Sequence, residues 1–327
     1  MEKSIATLLE YLRTTRVICL LNKVYEDSNY REYKITDSRM VENTYIICDS
    51  ASKEILLSPH IAGKPLQDKM ESVAYSLIHA VGRNVLKGKK LDQVAELIFL
   101  SGGLYYQLNC GFKKRYNKVL PQCFLGIKRQ KIEGSVGSFT AVATYENFES
   151  LPDKGTIIVG DTIATGATLQ KGIYFLLDAY AEKKYTLENL VICSLACSVD
   201  GAILLKEIEK KVKLNFPNAK VHLFVCGELF HLMEDGTDLR YLYPDSIIPD
   251  EMKNAILSSF GSELGTKMKC AVFDWGTRCK NPKKHYHEFS EFATHLLKSK
   301  IEPKTKEVLT KMVSEVNSSL LSLDDLL

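Results

Sequence analysis

The clearest structural signal in this chain is Thr156-Ile-Ile-Val-Gly-Asp-Thr-Ile-Ala-Thr-Gly-Ala-Thr168. Its apolar beginning predicts a buried strand that ends at Gly160, and the apolar spacing from Leu169 to Ala181 predicts a helix directly after the loop. Short apolar runs alternate with helical segments in the same way from about residue 70 to residue 226. This pattern is typical of the α/β fold class, with a mostly parallel central sheet flanked by helices.

The loop between this strand and this helix has the composition of an anion site. Backbone N–H groups at the start of a helix point toward a ligand, and the helix dipole favours negative charge there. Gly166 lets the backbone approach a phosphate closely, and Thr165 and Thr168 add hydroxyl donors. Asp161 would repel a phosphate and instead suits hydroxyl groups, such as those of a ribose beside it. A plain threonine-rich helix cap is the alternative, but the complete order of residue types favours the ligand site.

Composition and charge exclude several classes of protein. The chain has 327 residues, of which 45% are apolar and 25% charged, so it is neither disordered nor fibrous. A net charge of +3 gives no indication of nucleic-acid binding. No apolar run reaches the roughly 20 residues of a membrane span. The nine cysteines form no framework pattern, which predicts a cytoplasmic location. Four of them lie in apolar runs and are predicted to be buried free thiols: Cys19, Cys193, Cys197 and Cys226.

Changes in pattern predict three parts of the chain. Residues 1–68 combine a helical pattern, two strand-like pieces and a Pro/Gly-rich linker, and are predicted to be an N-terminal appendage. Residues 69–245 are predicted to be the α/β core. Residues 246–327 lose the alternation and are predicted to be a mostly helical C-terminal extension.

Three further segments accompany the loop at residues 161–168. They are Leu97-Ile-Phe-Leu-Ser-Gly-Gly-Leu104, Phe124-Leu-Gly-Ile-Lys-Arg129, and the strand–helix–strand series from Leu190 to Cys226. In order and spacing these segments resemble the type I phosphoribosyltransferases, nearest to the uracil phosphoribosyltransferase-like group. The resemblance covers roughly residues 70–235 and is strongest at residues 156–168.

The resemblance implies a glycosyltransferase of nucleotide metabolism, a phosphoribosyltransferase that uses phosphoribosyl diphosphate (PRPP) and Mg²⁺. It would transfer the 5-phosphoribosyl group to a nitrogen of a nucleobase or related heterocycle and release diphosphate. It also implies a cytoplasmic enzyme that can form a homodimer. The residues carried over fall into three sets. PRPP phosphate and ribose would be bound by Asp161, Thr162, Ala164, Thr165, Gly166, Ala167 and Thr168, diphosphate by Ser101, Gly102 and Gly103, and the leaving group would be assisted by Lys128 and Arg129, with a lid at residues 133–138.

The sequence departs from the family pattern in three places. Gly160 stands where the family has its first acidic residue, and Ser101 stands where the uracil group has an arginine. The base-reading loop of that group has no matching pattern here, which leaves Glu228, Asp235 and Thr237 as candidates for binding the acceptor. These departures keep two alternatives open, a non-catalytic PRPP or nucleotide sensor and a different phosphosugar enzyme such as a phosphohydrolase.

Two features of the C-terminal extension have competing interpretations. A zinc site is conceivable at Cys270, Cys279, His285 and His287, but the spacing matches no common zinc finger, so buried thiols beside a polar segment are favoured. Trp275 is the only tryptophan. It suits a docking anchor better than a substrate clamp, because a buried tryptophan covers a large apolar area.

Overall fold

The computed structural model describes residues 19–28, 30–100, 102–131, 139–268 and 275–324, without side chains at 129–131, 139–141, 263–266 and 321–324. Strands and helices are numbered in chain order. The strands are β1 (Leu20–Glu26), β2 (Tyr30–Thr36), β3 (Asn43–Asp49), β4 (Val94–Leu100), β5 (Gln122–Lys131), β6 (Phe139–Asn147), β7 (Lys154–Gly160), β8 (Thr186–Ser194), β9 (Cys197–Ser198), β10 (Lys220–Cys226), β11 (Leu229–Leu232) and β12 (Leu239–Arg240).

The α-helices of the described ranges cover both the core and the C-terminal part. They are α1 (Ser50–Leu57), α2 (Gly63–Asn84), α3 (Leu108–Tyr116), α4 (Ala167–Glu182), α5 (Val199–Asn215), α6 (Asp250–Lys267), α7 (Trp275–Lys280), α8 (Pro282–Leu297) and α9 (Pro303–Asp324). Short 3₁₀ helices occupy Leu91–Gln93 and Gly102–Tyr106.

A mostly parallel sheet forms the centre of the molecule. Its order among the described residues is β1-β2-β3-β10-β8-β7-β4-β5-β6, and a second, smaller sheet has the order β12-β11-β9. The six central strands pair in parallel, in the order β3-β10-β8-β7-β4-β5. At the two edges, β1, β2 and β6 pair antiparallel. The predicted fold class, an α/β protein with a mostly parallel central sheet flanked by helices, is therefore confirmed.

Apolar residues on both faces of the sheet explain why helices cover it. Helix α2 packs against one face through its apolar stripe, and α4 and α5 pack against the other face. The helical spacing of the apolar residues in this segment predicts such a stripe. In the structure its members are fully buried: Met70, Val73, Ala74, Leu77, Ile78 and Val81.

The N-terminal segment extends this sheet. The strands β1, β2 and β3 add three members to it, and β3 pairs in parallel with β10 from the far end of the core. The boundary predicted at residue 68 lies inside helix α2, which begins at Gly63. The sheet is thus continuous across that boundary because β3 pairs with β10. Ile46 and Ile47 in β3 are fully buried among the core residues.

The C-terminal extension is helical, as predicted, and it is fastened to the core by buried polar contacts. Arg278 in α7 is fully buried and donates to the backbone oxygens of Ser58 at 2.9 Å and Ile61 at 2.7 Å. His285 in α8, also fully buried, makes a hydrogen bond of 2.7 Å with the oxygen of Pro59. These contacts link the C-terminal extension to the connection between α1 and α2 and supply donors to backbone carbonyl groups there.

Two sequence expectations concern membranes and thiols. None of the helices in the described ranges is long and apolar enough to cross a membrane. Cys193, Cys197 and Cys226 are free, completely buried thiols, and burial raises the pKa of each one. They act as small apolar side chains, as predicted, whereas Cys19, which was also predicted to be buried, is only half-buried.

Replacing Arg278 tests the contribution of this buried anchor. We expect Arg278→Ala to lower the free energy of unfolding by about 3 kcal/mol, because buried carbonyl groups lose their donor and a cavity remains. Urea denaturation followed by circular dichroism measures the change. Lys280→Ala, an exposed change in the same helix, should stay within about 0.5 kcal/mol of the wild type. Equal stability of the two variants would contradict this role of Arg278.

Candidate functional site

The predicted site loops follow β4 and β7, which are neighbours in the sheet. From β4 the chain continues to β5 on one side, and from β7 it continues to β8 on the other side. The strand order therefore reverses between β4 and β7. In open α/β sheets, ligands bind beyond the carboxyl ends of the strands at such a reversal point. Gly102–Gly103 and residues 161–168 lie on either side of it.

The loop after β7 is held by backbone hydrogen bonds to the end of β8 and to the segment that follows it. The N–H of Asp161 donates to Cys193 at 3.1 Å, and the N–H of Ile163 donates to Ala196 at 2.9 Å. The oxygen of Ile163 in turn accepts from the N–H of Ser198 at 2.9 Å. These bonds fix the loop in one conformation before any ligand binds, which reduces the entropy cost of binding.

Gly166 sets the direction in which helix α4 begins. Its φ of +75° lies in the left-handed region, and a Cβ atom there would stand 2.8 Å from Leu204. Within the described residues no side chain caps this helix start, and the closest approach is the Thr165 hydroxyl, which accepts from the N–H of Ala167 at 3.4 Å. The first turn of α4 thus directs backbone N–H groups outward, with Thr165 and Ala167 exposed.

Tyr106 explains the departure at Gly160. A Cβ atom on residue 160 would stand 2.6 Å from both Cβ and Cγ of Tyr106, a distance that real contacts do not reach. The Tyr106 ring is completely buried, and its hydroxyl shares a hydrogen bond of 2.8 Å with the Thr162 hydroxyl. The same hydroxyl accepts from the N–H of Leu195 at 3.1 Å. An acidic side chain at position 160 is therefore excluded by packing in this conformation.

The 3₁₀ turn Gly102–Tyr106 is in contact with both the β7 loop and the C-terminal extension. A Cβ atom on Gly103 would lie 3.2 Å from the oxygen of Gly160, so the two segments touch. Trp275 is 6% exposed and donates from Nε1 to the oxygen of Gly102 at 3.3 Å. Its ring also lies 5.8 Å from the ring of Tyr106. Trp275 is thus a docking anchor, and it docks on the predicted diphosphate segment.

Most of the remaining residues predicted to bind diphosphate or to assist catalysis are outside the part of the chain that the structure describes. Ser101 and the predicted lid at residues 133–138 are outside the described residues, as is the Arg129 side chain. Lys128 is exposed on β5, next to Val142 of β6. The structure therefore places Lys128 near the end of β5, whereas the Arg129 side chain lies outside the described residues.

Glu228 occupies an unusual environment directly after β10. The residue is completely buried, and among the described residues neither of its carboxyl oxygens has a hydrogen-bond partner within 3.5 Å, although the backbone N–H of Leu242 lies close enough to oppose the effect of burial on its pKa. Burial raises the pKa of this carboxyl well above its usual range. Burial thus favours the neutral, protonated carboxyl, which can donate a hydrogen bond, over the anion.

Asp235 and Thr237 belong to the turn between β11 and β12. The Asp235 carboxylate accepts from the N–H groups of Thr237 at 2.9 Å and Asp238 at 2.8 Å, and thereby shapes this turn. A Cβ atom on Gly236 would lie 3.5 Å from Cγ2 of Thr165, so the turn rests beside the β7 loop. The structure thus brings Asp235 and Thr237 close to residues 161–168, both with exposed side chains.

The possible zinc ligands do not form a metal site among the described residues. His285 forms a hydrogen bond through Nε2 with the oxygen of Pro59, and Cys279 is buried. Cys270 is not among the described residues. No group of three or more His, Cys, Asp or Glu side chains within the described ranges could hold a metal ion.

Sequence reasoning missed Tyr106. It lies in an apolar run and carries no motif of its own, so its only signal was indirect. Gly160 stands at the end of β7, where the phosphoribosyltransferases that the sequence resembles have a carboxylate. A glycine at that position indicates that another group occupies the space of the missing side chain.

Comparison with known proteins adds no family to these observations. No protein-family model matches the sequence, and no curated protein matches it significantly.

Removing the hydroxyl of Tyr106 tests its connection to the site. We expect Tyr106→Phe to lower the free energy of unfolding by about 1–3 kcal/mol, because the buried N–H of Leu195 loses its acceptor. The ring against Gly160 is retained. Tyr105→Phe is the matched control, since the Tyr105 hydroxyl has no hydrogen-bond partner in the described residues. Urea denaturation of both variants measures the difference, and equal midpoints would refute the connection.

Glu228 predicts a pH dependence of stability. The folded protein keeps the Glu228 proton that an unfolded chain loses above a pKa of about 4.3. The free energy of unfolding therefore falls as pH rises above that value, by at most about 1.4 kcal/mol per pH unit for one proton. In Glu228→Gln this contribution disappears, so the variant should gain stability relative to wild type as the pH rises above about 5.

Glu234→Gln, an exposed change nearby, serves as the control for this titration. Glu228 is retained in this control, so its free energy of unfolding should still fall with rising pH, as in the wild type. If the stability difference between Glu228→Gln and the wild type is independent of pH, the buried carboxyl does not titrate as described.

Proposed function

We propose that this protein is a PRPP-dependent phosphoribosyltransferase acting on a nucleobase or a related heterocycle. The single observation that carries the proposal is the packing of Gly103 against Gly160 at the reversal point between β4 and β7. It brings a glycine-rich turn and an Asp/Thr-rich loop together at the carboxyl edge of the sheet. One ligand with a phosphate, a ribose and a diphosphate could span both segments.

The proposed roles follow from the geometry of each segment. The first turn of α4, with Thr165 and Thr168, would bind the 5-phosphate through N–H and hydroxyl donors. Asp161, half-buried beside it, would accept from the ribose hydroxyls. The N–H groups of Gly102 and Gly103 would face the diphosphate. Two positive charges from Lys128 and Arg129 would stabilise the charge that grows on the leaving group.

The reaction would be a displacement at the anomeric carbon of the ribose. The bond from this carbon to the diphosphate oxygen breaks, a bond to the acceptor nitrogen forms, and that nitrogen loses its proton. Positioning and charge stabilisation would supply the rate enhancement without a covalent enzyme intermediate. Glu228, two residues after the end of β10, is the proposed hydrogen-bond donor to the acceptor.

Mg²⁺ is the cofactor expected for this chemistry. It prefers oxygen ligands and is commonly bound through waters and substrate phosphates. Asp161 is the carboxylate that would lie beside such an ion, and the ion would supply neutralisation of diphosphate charge.

One observation favours a second candidate, a non-catalytic PRPP or nucleotide sensor. Tyr106 leaves no room for a carboxylate at residue 160. The ribose hydroxyls would therefore be bound by one acidic residue instead of two. A sensor requires only binding at this site, without release of diphosphate.

Calorimetric titration of PRPP, with and without Mg²⁺, tests the ligand. We expect Mg²⁺-dependent binding, and we expect Asp161→Ala to weaken it and to lower PRPP turnover by more than tenfold. Asp178→Ala, an exposed aspartate of helix α4, should bind like the wild type. Absence of binding by the folded wild type would overturn both the transferase and the PRPP-sensor interpretations.

Measurement of diphosphate release separates these two interpretations. A set of nucleobases is added to the wild-type protein with PRPP and Mg²⁺. Release that depends on one acceptor supports the transferase, whereas binding without release supports the sensor. Cleavage of ribose phosphate without any acceptor would indicate a phosphohydrolase instead.

A further inference from the structure

A large cavity lies at the opposite, amino edge of the sheet. Its volume is about 680 Å³, within the usual range for sites that bind small organic ligands. It is bordered by the beginnings of β3, β7, β8 and β10 and by the end of α2. Strand β7 has seven residues, so about 20 Å separate this cavity from the loop at residues 161–168.

The charged residues of the cavity are mainly basic. Lys89, Lys154 and Lys220 line it, together with one carboxylate, that of Glu188. Glu188 is shared between Lys89 at 2.8 Å and Lys154 at 3.3 Å. Lys220 has no ion-pair partner within the described ranges. Two positive charges therefore remain uncompensated at this cavity, which favours an anionic ligand.

The wall of the cavity also contains a buried polar network. The Asn189 side chain donates from Nδ2 to the Thr156 hydroxyl at 3.0 Å, so its oxygen is left to accept from Nε2 of His222 at 3.4 Å. His222 is 4% exposed, and burial lowers its pKa to about 4, which keeps the ring neutral at pH 7. With the proton on Nε2, Nδ1 is an acceptor, and it has no partner among the described residues.

We propose that this cavity binds a small organic phosphate, a sugar phosphate or nucleoside monophosphate, at a site separate from the candidate active site. The phosphate would lie near Lys154 and Lys220, where positive charge exceeds negative charge. The organic part would contact the carboxamides of Asn43, Asn84 and Asn218, which also line the cavity. A bare phosphate would fill only a small part of the volume, whereas a nucleotide-sized ligand fits it.

Charge reversal with a matched control tests the proposal. The variant is Lys154→Glu/Lys220→Glu, and the control is Lys87→Glu/Lys90→Glu, which changes the net charge equally at exposed lysines outside the cavity lining. Ribose 5-phosphate, adenosine monophosphate and inorganic phosphate are titrated into each protein by calorimetry. Thermal unfolding verifies that both variants are folded.

Occupancy of the cavity is read from the ring signals of His222 in NMR spectra, identified by their loss in His222→Gln. We expect at least one organic phosphate to shift these signals in the wild type and the control, with affinity at least tenfold weaker in Lys154→Glu/Lys220→Glu. Three outcomes would overturn the proposal. They are unchanged His222 signals with every probe, equal affinity in the two double variants, and inorganic phosphate binding as tightly as the organic phosphates, which would indicate an adventitious ion only.

This proposal does not depend on the transferase function. Binding at residues 161–168 is measured by the effect of Asp161→Ala on PRPP affinity, whereas binding at the amino edge is measured by the His222 signals. Either result can be obtained without the other.

Discussion

The contact between the Tyr106 ring and the bare backbone of Gly160 determines how the carboxyl edge of the sheet is assembled. The ring fills the space that a side chain at the end of β7 would need. Its hydroxyl connects the loop after β7, through Thr162, with the turn after β8, through Leu195. On its other side it meets Trp275 from the C-terminal extension. Segments far apart in sequence therefore share one buried aromatic contact, and each depends on the others for its position.

The sequence was informative where local pattern and packing agree. Apolar runs such as Thr156–Val159 become strands buried on both faces, and the spacing of Met70, Val73 and Leu77 becomes the buried stripe of α2. These elements could be predicted because their periodicity is imposed by burial itself. The loop between β7 and α4 could be located in the same way, and its anion binding stays a prediction from the glycine, aspartate and threonine that it contains.

Tertiary pairing could not be read in the same way. Nothing local in Asn43–Asp49 shows that this strand pairs with β10, almost the whole length of the core away. The position of Tyr106 on Gly160 is likewise a property of two distant segments. The burial of Glu228 and His222 also depends on elements that pack from elsewhere in the chain, so their protonation states follow only from the fold.

Because β10 and Arg278 lie late in the sequence, the N-terminal strands are synthesised long before the segments that complete their packing. Ile46 and Ile47 in β3 need β10 as a neighbour, and the oxygens of Ser58 and Ile61 need the guanidinium of Arg278. At roughly 5–20 residues per second, about 10–35 s pass between the emergence of β3 and that of β10. The edge of β3 therefore remains unpaired and prone to aggregation until β10 has been synthesised. A chain terminated before β10 would expose that edge to chaperones and proteases.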